Sequence, residues 1–534
     1  MNFRWYTRAL LALASGAALA LSFPSYNLWP LAWFALTLLI LASVGARPAI
    51  SPLYGFLHGL VFYPIGLPWI AVVMQQYGNI DPWTSAAILG LMAIAGGIVC
   101  CFFSLGVAVA SKKSTALACA LAPFLWVTLE FARTHLPIIG FPWNLTGYAA
   151  SGNILLLQLT PITGIYGLSF VIAAYGSFLA FAIFAGRQRV WKTFLVVTAV
   201  LVLIALTGGY FVPHAAPTHY AHLVQTNFPQ SESYPPNWLQ LHAGEMDQLE
   251  NVSVASIQAS ELPKNLDTAQ ARDRLIIWPE VPAPFTMQDP AFAQRASRIA
   301  REANSYFLVG VVDWKLDAQH RYYPTNSAVL LDPAGRRVFT YDKRHLVPFG
   351  EYVPLRRWLT FARSLVAGIG DFTPGTKFSI GQLPDGKFGV FICYEAIFPG
   401  EVRHFTKDGA QVLINISNDG WFGRSSAPPQ HLMMARVRAV ENRRWLLRDT
   451  NNGYTVSVDP YGRIAARLPA DERGELDAPY SFRSDLTPYA RFGDWFSWLC
   501  LIASAALLLF PVFRGSEPAR RQANQNSSQL VLRG

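Results

Sequence analysis

The chain has 534 residues, 52% of them hydrophobic and only 14% charged, against about 25% charged in ordinary soluble proteins. Its mean hydropathy is +0.26. This composition excludes a disordered chain or a single small domain and points to a protein partly dissolved in lipid.

A helix that crosses a bilayer needs about 20 mostly apolar residues. Eight segments qualify as candidates: Ala9–Phe23, Leu28–Val44, Leu53–Val73, Trp83–Ala110, Thr115–Ala132, Ile165–Ala185, Val190–Val212 and Trp495–Phe513. Seven precede residue 213, one lies near the end, and about 280 residues of globular composition separate them. The predicted organisation is a seven-span membrane domain (1–213), an α/β domain (214–490), and a last transmembrane helix with a polar tail (491–534).

Basic residues in short connections set the orientation. With a cytoplasmic N-terminus, twelve fall inside: Arg4, Arg8, Arg47, Lys112, Lys113, Arg187, Arg189, Lys192, Arg514, Arg520, Arg521 and Arg533. The short outside loops hold Arg133. The α/β domain is therefore expected on the far side of the membrane, with the C-terminus back in the cytoplasm. These twelve residues, less Glu517, sum to +11, and the rest of the chain is nearly neutral at −1, so they account for the net charge of +10. The basicity is a topological signal and not the clustered patch of a nucleic-acid binder. The first segment loosely resembles a signal peptide. The remaining basic bias fits best if it is retained as a helix.

Within the spans, Glu130 lies three residues from Arg133. An ionisable residue in a span marks function by default, and an i, i+3 ion pair at the interface is the structural alternative. Four of the five cysteines (Cys100, Cys101, Cys119 and Cys500) sit in predicted spans as small apolar filler. Cys393 stands alone in the α/β domain, so no disulfide can form there, and a free thiol outside the cytoplasm asks for a reason.

In that domain, strand-like and helix-like runs alternate, which implies a layered α/β fold. Predicted strands are Tyr220–Gln225, Leu275–Trp278, Tyr306–Val312, Asn326–Leu331, Arg337–Tyr341, Phe388–Cys393, Val412–Ile416, Trp445–Arg448 and Thr455–Val458. Predicted helices run from Trp238 to about Glu261, over Ala291–Ala303 and over His431–Asn442. Three predicted strands lead into reactive side chains: Glu280, Lys343 and Cys393. A cysteine attacks as thiolate, a carboxylate can take its proton, and an ammonium can stabilise the oxyanion that follows. Each signal is weak alone; the combination carries the argument. His431 lacks a second ligand at metal spacing, so a metal site is not expected.

Flanking residues extend this pattern. Ile276-Ile277-Trp278-Pro279-Glu280, Lys343-Arg344-His345-Leu346-Val347-Pro348-Phe349-Gly350-Glu351-Tyr352-Val353-Pro354 and Ile392-Cys393-Tyr394-Glu395 resemble the Glu-Lys-Cys segments of the nitrilase (carbon–nitrogen hydrolase) superfamily. With Ile416–Gly423, Thr450-Asn451-Asn452-Gly453, Gly140-Phe141-Pro142-Trp143 and the seven-plus-one spans, the chain resembles the apolipoprotein N-acyltransferase family over nearly its whole length.

The resemblance implies a polytopic α-helical membrane domain carrying an extracytoplasmic αββα sandwich on the periplasmic face of the inner membrane. It implies transfer of an acyl chain from a phospholipid, chiefly phosphatidylethanolamine, to the α-amine of a lipoprotein's diacylglyceryl-cysteine. Glu280, Lys343 and Cys393 would be catalytic, and no cofactor or metal would be needed. Glu351, Tyr394 and Glu395 would support them. The alternatives are a loop carboxylate paired with Arg356 or Arg357 for Glu351, and a structural partner of a buried arginine for Glu395. Trp143, Trp238 and Asn326 are candidate substrate contacts. The two indoles can equally be interfacial belt residues, and Asn326 a turn cap. Phe349, Phe361 and Leu365 would complete an apolar cleft or fill the sandwich core.

Two other functions remain readable from the same residues. One is a membrane-tethered carbon–nitrogen hydrolase with water as acceptor. The other is a transporter with an appended binding domain, which the scarcity of charged residues in the spans disfavours.

Overall fold

The protein is described by a computed structural model covering residues 3–136, 140–230, 234–259, 275–353 and 372–514. Pro354, Arg356, Arg357, Phe361, Leu365, Glu261 and the basic tail after Arg514 lie outside the described residues.

All eight apolar segments are helical. They form helices Trp5–Leu21, Pro30–Ser43, Ser51–Gly66 with Trp69–Gln76, Pro82–Ser111, Thr115–His135, Ile165–Ala185, Gln188–Thr207 and Trp495–Arg514. The third segment is not one rod: its two helices meet at a 51° bend, at the break between Gly66 and Trp69. Among the described residues four helices are long and apolar enough to cross a membrane, or five with the bent pair counted as one span. Trp5–Leu21, Pro30–Ser43 and the Trp495–Leu509 part of the last helix are shorter. Leu91, Ile98 and Phe102 on one helix, and Leu195, Leu203 and Leu206 on another, are exposed. Apolar surface of this extent is stable against lipid and a liability in water. Close helix packing uses small residues. A Cβ on Gly59 would lie 2.5 Å from the Gly97 Cα, so helices Ser51–Gly66 and Pro82–Ser111 touch backbone to backbone there.

Among the described residues the α/β domain holds twelve strands: β1 (His219–Gln225), β2 (Leu275–Ile277), β3 (Tyr306–Leu316), β4 (Tyr322–Leu331), β5 (Arg337–Asp342), β6 (Ile380–Leu383), β7 (Gly386–Ile392), β8 (Val412–Ser417), β9 (Leu446–Thr450), β10 (Val456–Val458), β11 (Ile464–Arg467) and β12 (Gly474–Tyr480). They make two six-stranded sheets, ordered β12-β1-β2-β3-β4-β5 and β11-β10-β9-β8-β7-β6. Each has a parallel centre (β1-β2-β3 and β7-β8-β9) and antiparallel flanks.

Alternation along the strands builds the layers. Leu223, Ile277 and Leu308 face Val390, Ile414 and Val458 across the sheet interface, in one core. Ile276, Phe307 and Val309 point the other way, onto Met246 and Leu249 of helix Ala243–Ala259 and Phe292 and Ile299 of helix Pro290–Glu302. Helices Pro399–Lys407 and Ala427–Asn442 cover the second sheet through Val402, Phe405, Ala435 and Ala439. This is the αββα arrangement expected from the resemblance. β6, β11 and β12 were not expected from sequence. β11 is mostly exposed and β12 mixes Glu475 and Asp477 with apolar residues, so neither has a clean period.

The two halves share a core. Met434, Val437 and Val440 on helix Ala427–Asn442, with Tyr394, Ile397 and Phe398, pack into the same apolar cluster as the membrane helices. The sandwich therefore rests on the bundle through the helix and turn nearest Cys393.

Candidate active site

Strand ends of both sheets converge here, where the sheet fixes positions and the loops leave space. Glu280 lies just beyond β2, Lys343 just beyond β5, Cys393 just beyond β7, and Asn418 just beyond β8. All four are buried.

Lys343 is the hub. Its Nζ donates to Glu280 Oε1 at 2.9 Å and to Glu351 Oε1 at 3.0 Å. Asn326 Nδ2 lies 2.7 Å from each of the same two oxygens, so one ammonium and one amide hold two carboxylates together. The Asn418 N–H donates to Glu280 Oε2 at 2.9 Å, and the Val347 N–H to Glu351 Oε2 at 2.8 Å. A carboxylate offers about four acceptor positions. Glu280 uses three of them on these protein donors, which leaves a position for a travelling proton. Burial opposes the charge on Lys343, but Glu280 and Glu351 outweigh it and hold its pKa well above the ordinary lysine value. Lys343 is thus a fixed cation and no base.

Gly310 on β3 allows this placement. A Cβ there would come within 2.5 Å of the Pro279 carbonyl and 2.6 Å of the Glu280 Cα. The next residue, Val281, has φ +30°. A β-branched residue at positive φ is strained, and strain of this kind is kept where surrounding structure over-determines it.

Cys393 is not the last strand residue expected from its sequence. It opens a 3₁₀ turn, Cys393–Ile397, with φ +47°. The strand ends at Ile392 because a left-handed residue cannot continue the ladder. Burial and the Glu280 carboxylate push the thiol pKa up, Lys343 opposes them, and the Ser417 hydroxyl bonds to it. The resting sulfur is therefore a protonated thiol that needs a base.

Among the described residues Glu395 has no arginine side chain as hydrogen-bond partner. Its Oε1 accepts from Tyr341 Oη (2.8 Å), Arg344 N–H (2.7 Å) and His345 N–H (3.2 Å), and its Oε2 accepts from Ile392 N–H (2.7 Å). It stitches the lysine loop to the cysteine turn. Burial pushes this carboxyl up to about 7. With a folded value above the unfolded one, the native state binds the proton first, so stability falls as pH rises from about 4.5 to 7. Glu395→Gln is expected to flatten that slope in thermal melts of the detergent-solubilised protein. It should also lower activity, since an amide places a donor against one of four donors. An unchanged slope would rule out Glu395 as its source.

Beside the turn lies a buried network that the sequence reading did not find. His431 Nε2 is 3.0 Å from the Cys393 carbonyl oxygen, and its Nδ1 is 3.1 Å from both Asp419 Oδ1 and the Arg448 guanidinium. Arg448 also donates to Asp419 Oδ2 at 2.7 Å. Burial raises the Asp419 pKa, but Arg448 and His431 overcome this and hold it well below the usual carboxylate range. Burial and Arg448 push the His431 pKa down, which keeps the ring neutral. The available signal was Asn418-Asp419 at the end of a fourth apolar strand.

The remaining predicted residues are placed as follows. Asn326 joins the carboxylates and caps no turn. Glu351 pairs with Lys343. Tyr394 is buried, with its ring 5.2 Å from Phe398. Trp143 is 1% exposed, donates to Gln430 Oε1 at 2.7 Å, and packs on Trp69 and His431. It lies in the apolar core that the bundle shares with the α/β domain. Trp238 is buried among Phe228, Phe285 and His242 in the outer core of the first sheet. Phe349 is exposed. Glu130 and Arg133 turn to different partners, the Thr146 N–H and the Tyr63 hydroxyl, and do not form the i, i+3 hydrogen-bonded pair.

Residues 15–178 match the family described as Apolipoprotein N-acyltransferase N-terminal domain, and residues 235–481 match Carbon-nitrogen hydrolase. The apolipoprotein N-acyltransferase of Geobacter metallireducens is 37% identical over 514 residues, 95% of each chain. The chain belongs to the apolipoprotein N-acyltransferase family. That of Methylococcus capsulatus is 32% identical over 97% of each chain. Among solved structures, an amidase from Nesterenkonia sp. is similar at 19% identity and a TM-score of 0.36, covering 53% of this chain and 98% of that one. The protein is thus an acyltransferase, with a nitrilase-like C-terminal domain and apolar helices in its N-terminal part.

Proposed function

We propose that this acyltransferase moves an acyl chain from a phospholipid, with phosphatidylethanolamine as donor, to the α-amine of a diacylglyceryl-cysteine at a lipoprotein N-terminus. The observation that carries the reading is the Lys343 ammonium fixed between Glu280 and Glu351, with Glu280 also held by the Asn418 N–H, next to the Ser417 whose hydroxyl bonds to the Cys393 thiol.

The chemistry runs in two half-reactions. Glu280 takes the Cys393 proton as the sulfur attacks the ester carbonyl. The tetrahedral oxyanion is met by Lys343 Nζ and the Tyr394 backbone N–H. The carbon–oxygen bond breaks, Glu280 returns the proton to the leaving alkoxide, and lysophospholipid departs from a Cys393 thioester. The lipoprotein amine then attacks that carbonyl and gives its proton to Glu280. The carbon–sulfur bond breaks, and the thiolate recovers the proton. The stable amide makes the second half-reaction favourable.

The membrane helices answer the problem of the donor. Lifting an acyl chain into water costs about 0.8 kcal/mol per CH₂, so the thiol must be held at headgroup height. The shared core of Tyr394, Phe398 and Met434 with the bundle supports such placement. In our reading the chain crosses the inner membrane eight times, with residues 1–213 as the seven-span domain and 491–534 returning to the cytoplasm. The catalytic domain, 214–490, is periplasmic.

Purified protein given phosphatidylethanolamine labelled in its acyl chains and a diacylated lipopeptide should place label on the lipopeptide amine. Label released solely as free fatty acid would make the protein a hydrolase and overturn the reading.

A further inference from the structure

We propose that His431 is a positioning residue for acyl transfer: by holding the Cys393 carbonyl it aims the Tyr394 N–H at the oxyanion. This deepens the thioester reading above and rests on it. The Cys393 carbonyl can accept but not donate, so His431 Nε2, 3.0 Å away, carries a proton. Nδ1 then accepts from the Arg448 guanidinium at 3.1 Å, and the Asp419 carboxylate, whose Oδ1 lies 3.1 Å from the same nitrogen, is held by Arg448 at Oδ2 rather than by the ring.

The Cys393–Tyr394 peptide is planar, so its carbonyl and the following N–H point in opposite directions. Fixing the carbonyl on His431 fixes the N–H on the other side. That N–H lies in the first turn of Cys393–Ile397, where helical N–H groups lack partners inside the turn. A hydrogen bond on the carbonyl also polarises the unit and strengthens its N–H as a donor. Cys393 needs such a hold, because a non-glycine residue at φ +47° is under strain.

The imidazole is itself confined. The Trp143 ring stacks on it at 5.9 Å, and the Phe422 ring meets it edge-on at 5.8 Å. The preceding residue, Gln430, accepts from Trp143 Nε1 and donates to the Pro24 and Gly66 carbonyls at 2.5 and 3.3 Å. Gly66 ends the first half of the bent helix pair. Three membrane-domain segments thereby meet the start of the helix that carries His431, and through it the nucleophile turn.

A merely structural histidine would only fill the space between Trp143, Phe422 and the Asp419–Arg448 pair. Two variants separate the roles, because an asparagine side chain reaches only the Nδ1 position whereas a glutamine amide nitrogen reaches the Nε2 position. The full-length protein in detergent is mixed with phosphatidylethanolamine alone, and the acyl increment on Cys393 is followed by intact mass. His431→Asn is expected to acylate about 10²-fold more slowly, at an unchanged half-saturating phospholipid concentration. His431→Gln should stay within about fivefold of the parent by restoring the donor. Wild-type rates in His431→Asn, or equal losses in both variants, would overturn the assignment. If the parent protein acylates lipopeptide yet never shows the increment, the thioester reading fails and takes this assignment with it.

Discussion

Cys393→Ala is expected to insert, fold and melt like the parent protein while losing acyl transfer by at least about 10⁴-fold. The substitution removes one sulfur from a buried position. It keeps the backbone at φ +47°, the His431 bond to the carbonyl and the Glu395 stitching, none of which uses the thiol. The one polar partner lost is the Ser417 hydroxyl. What disappears is the atom that would carry the acyl chain, and no neighbour replaces it. Glu280 and Glu351 are committed to Lys343 and Asn326, and the other four cysteines lie in the apolar helices. Intact mass after incubation with phospholipid should show no acyl increment. Transfer at the parent rate would remove Cys393 from the mechanism.

Lys343→Met should be almost as severe and should act in two ways. It removes the ammonium that meets the oxyanion; loss of one such donor typically slows turnover by about 10²–10³-fold. It also leaves Glu280 and Glu351 sharing Asn326 Nδ2 with no cation between them. Two like charges at that separation cannot both remain ionised, so the pair takes up a proton. The base then works only at higher pH. Breaking a buried ion pair from one side costs about 3–5 kcal/mol, so the melting temperature should fall as well. The expected result is a loss of at least about 10³-fold in rate, with the residual activity shifted to higher pH. A variant with normal activity and an unmoved pH profile would show that the ammonium is structural.

Much of this site was legible in local sequence. Glu280, Lys343 and Cys393 each follow a short apolar run, and a side chain just past a strand is held by the sheet while it faces the loops. The flanking runs carried the resemblance because their residues act locally. Pro279 precedes Glu280 directly, and Glu395 reaches back to the Ile392 N–H. Other assignments were open in the sequence for a shared reason. Trp143 and Trp238 looked like lipid contacts because a large indole with a polar handle suits an interface as well as a core. Burial decided between the two, and burial depends on Trp69, Phe422 and His431 in one case and on Phe228 and Phe285 in the other. Glu130 and Arg133 share a helix face, yet each found a better partner on another segment.

Long apolar helices, a layered α/β domain, and the cysteine, lysine and glutamate able to do chemistry could all be read along the chain. Those properties reside in short windows, in hydrophobic period and in side-chain type. The tertiary structure alone decided that Asn326 joins Glu280 to Glu351, that Cys393 sits in a left-handed turn, and that His431 holds its carbonyl. Each of these is a contact between residues brought together by sheet register and helix packing, and no periodicity along the chain encodes which distant group will arrive.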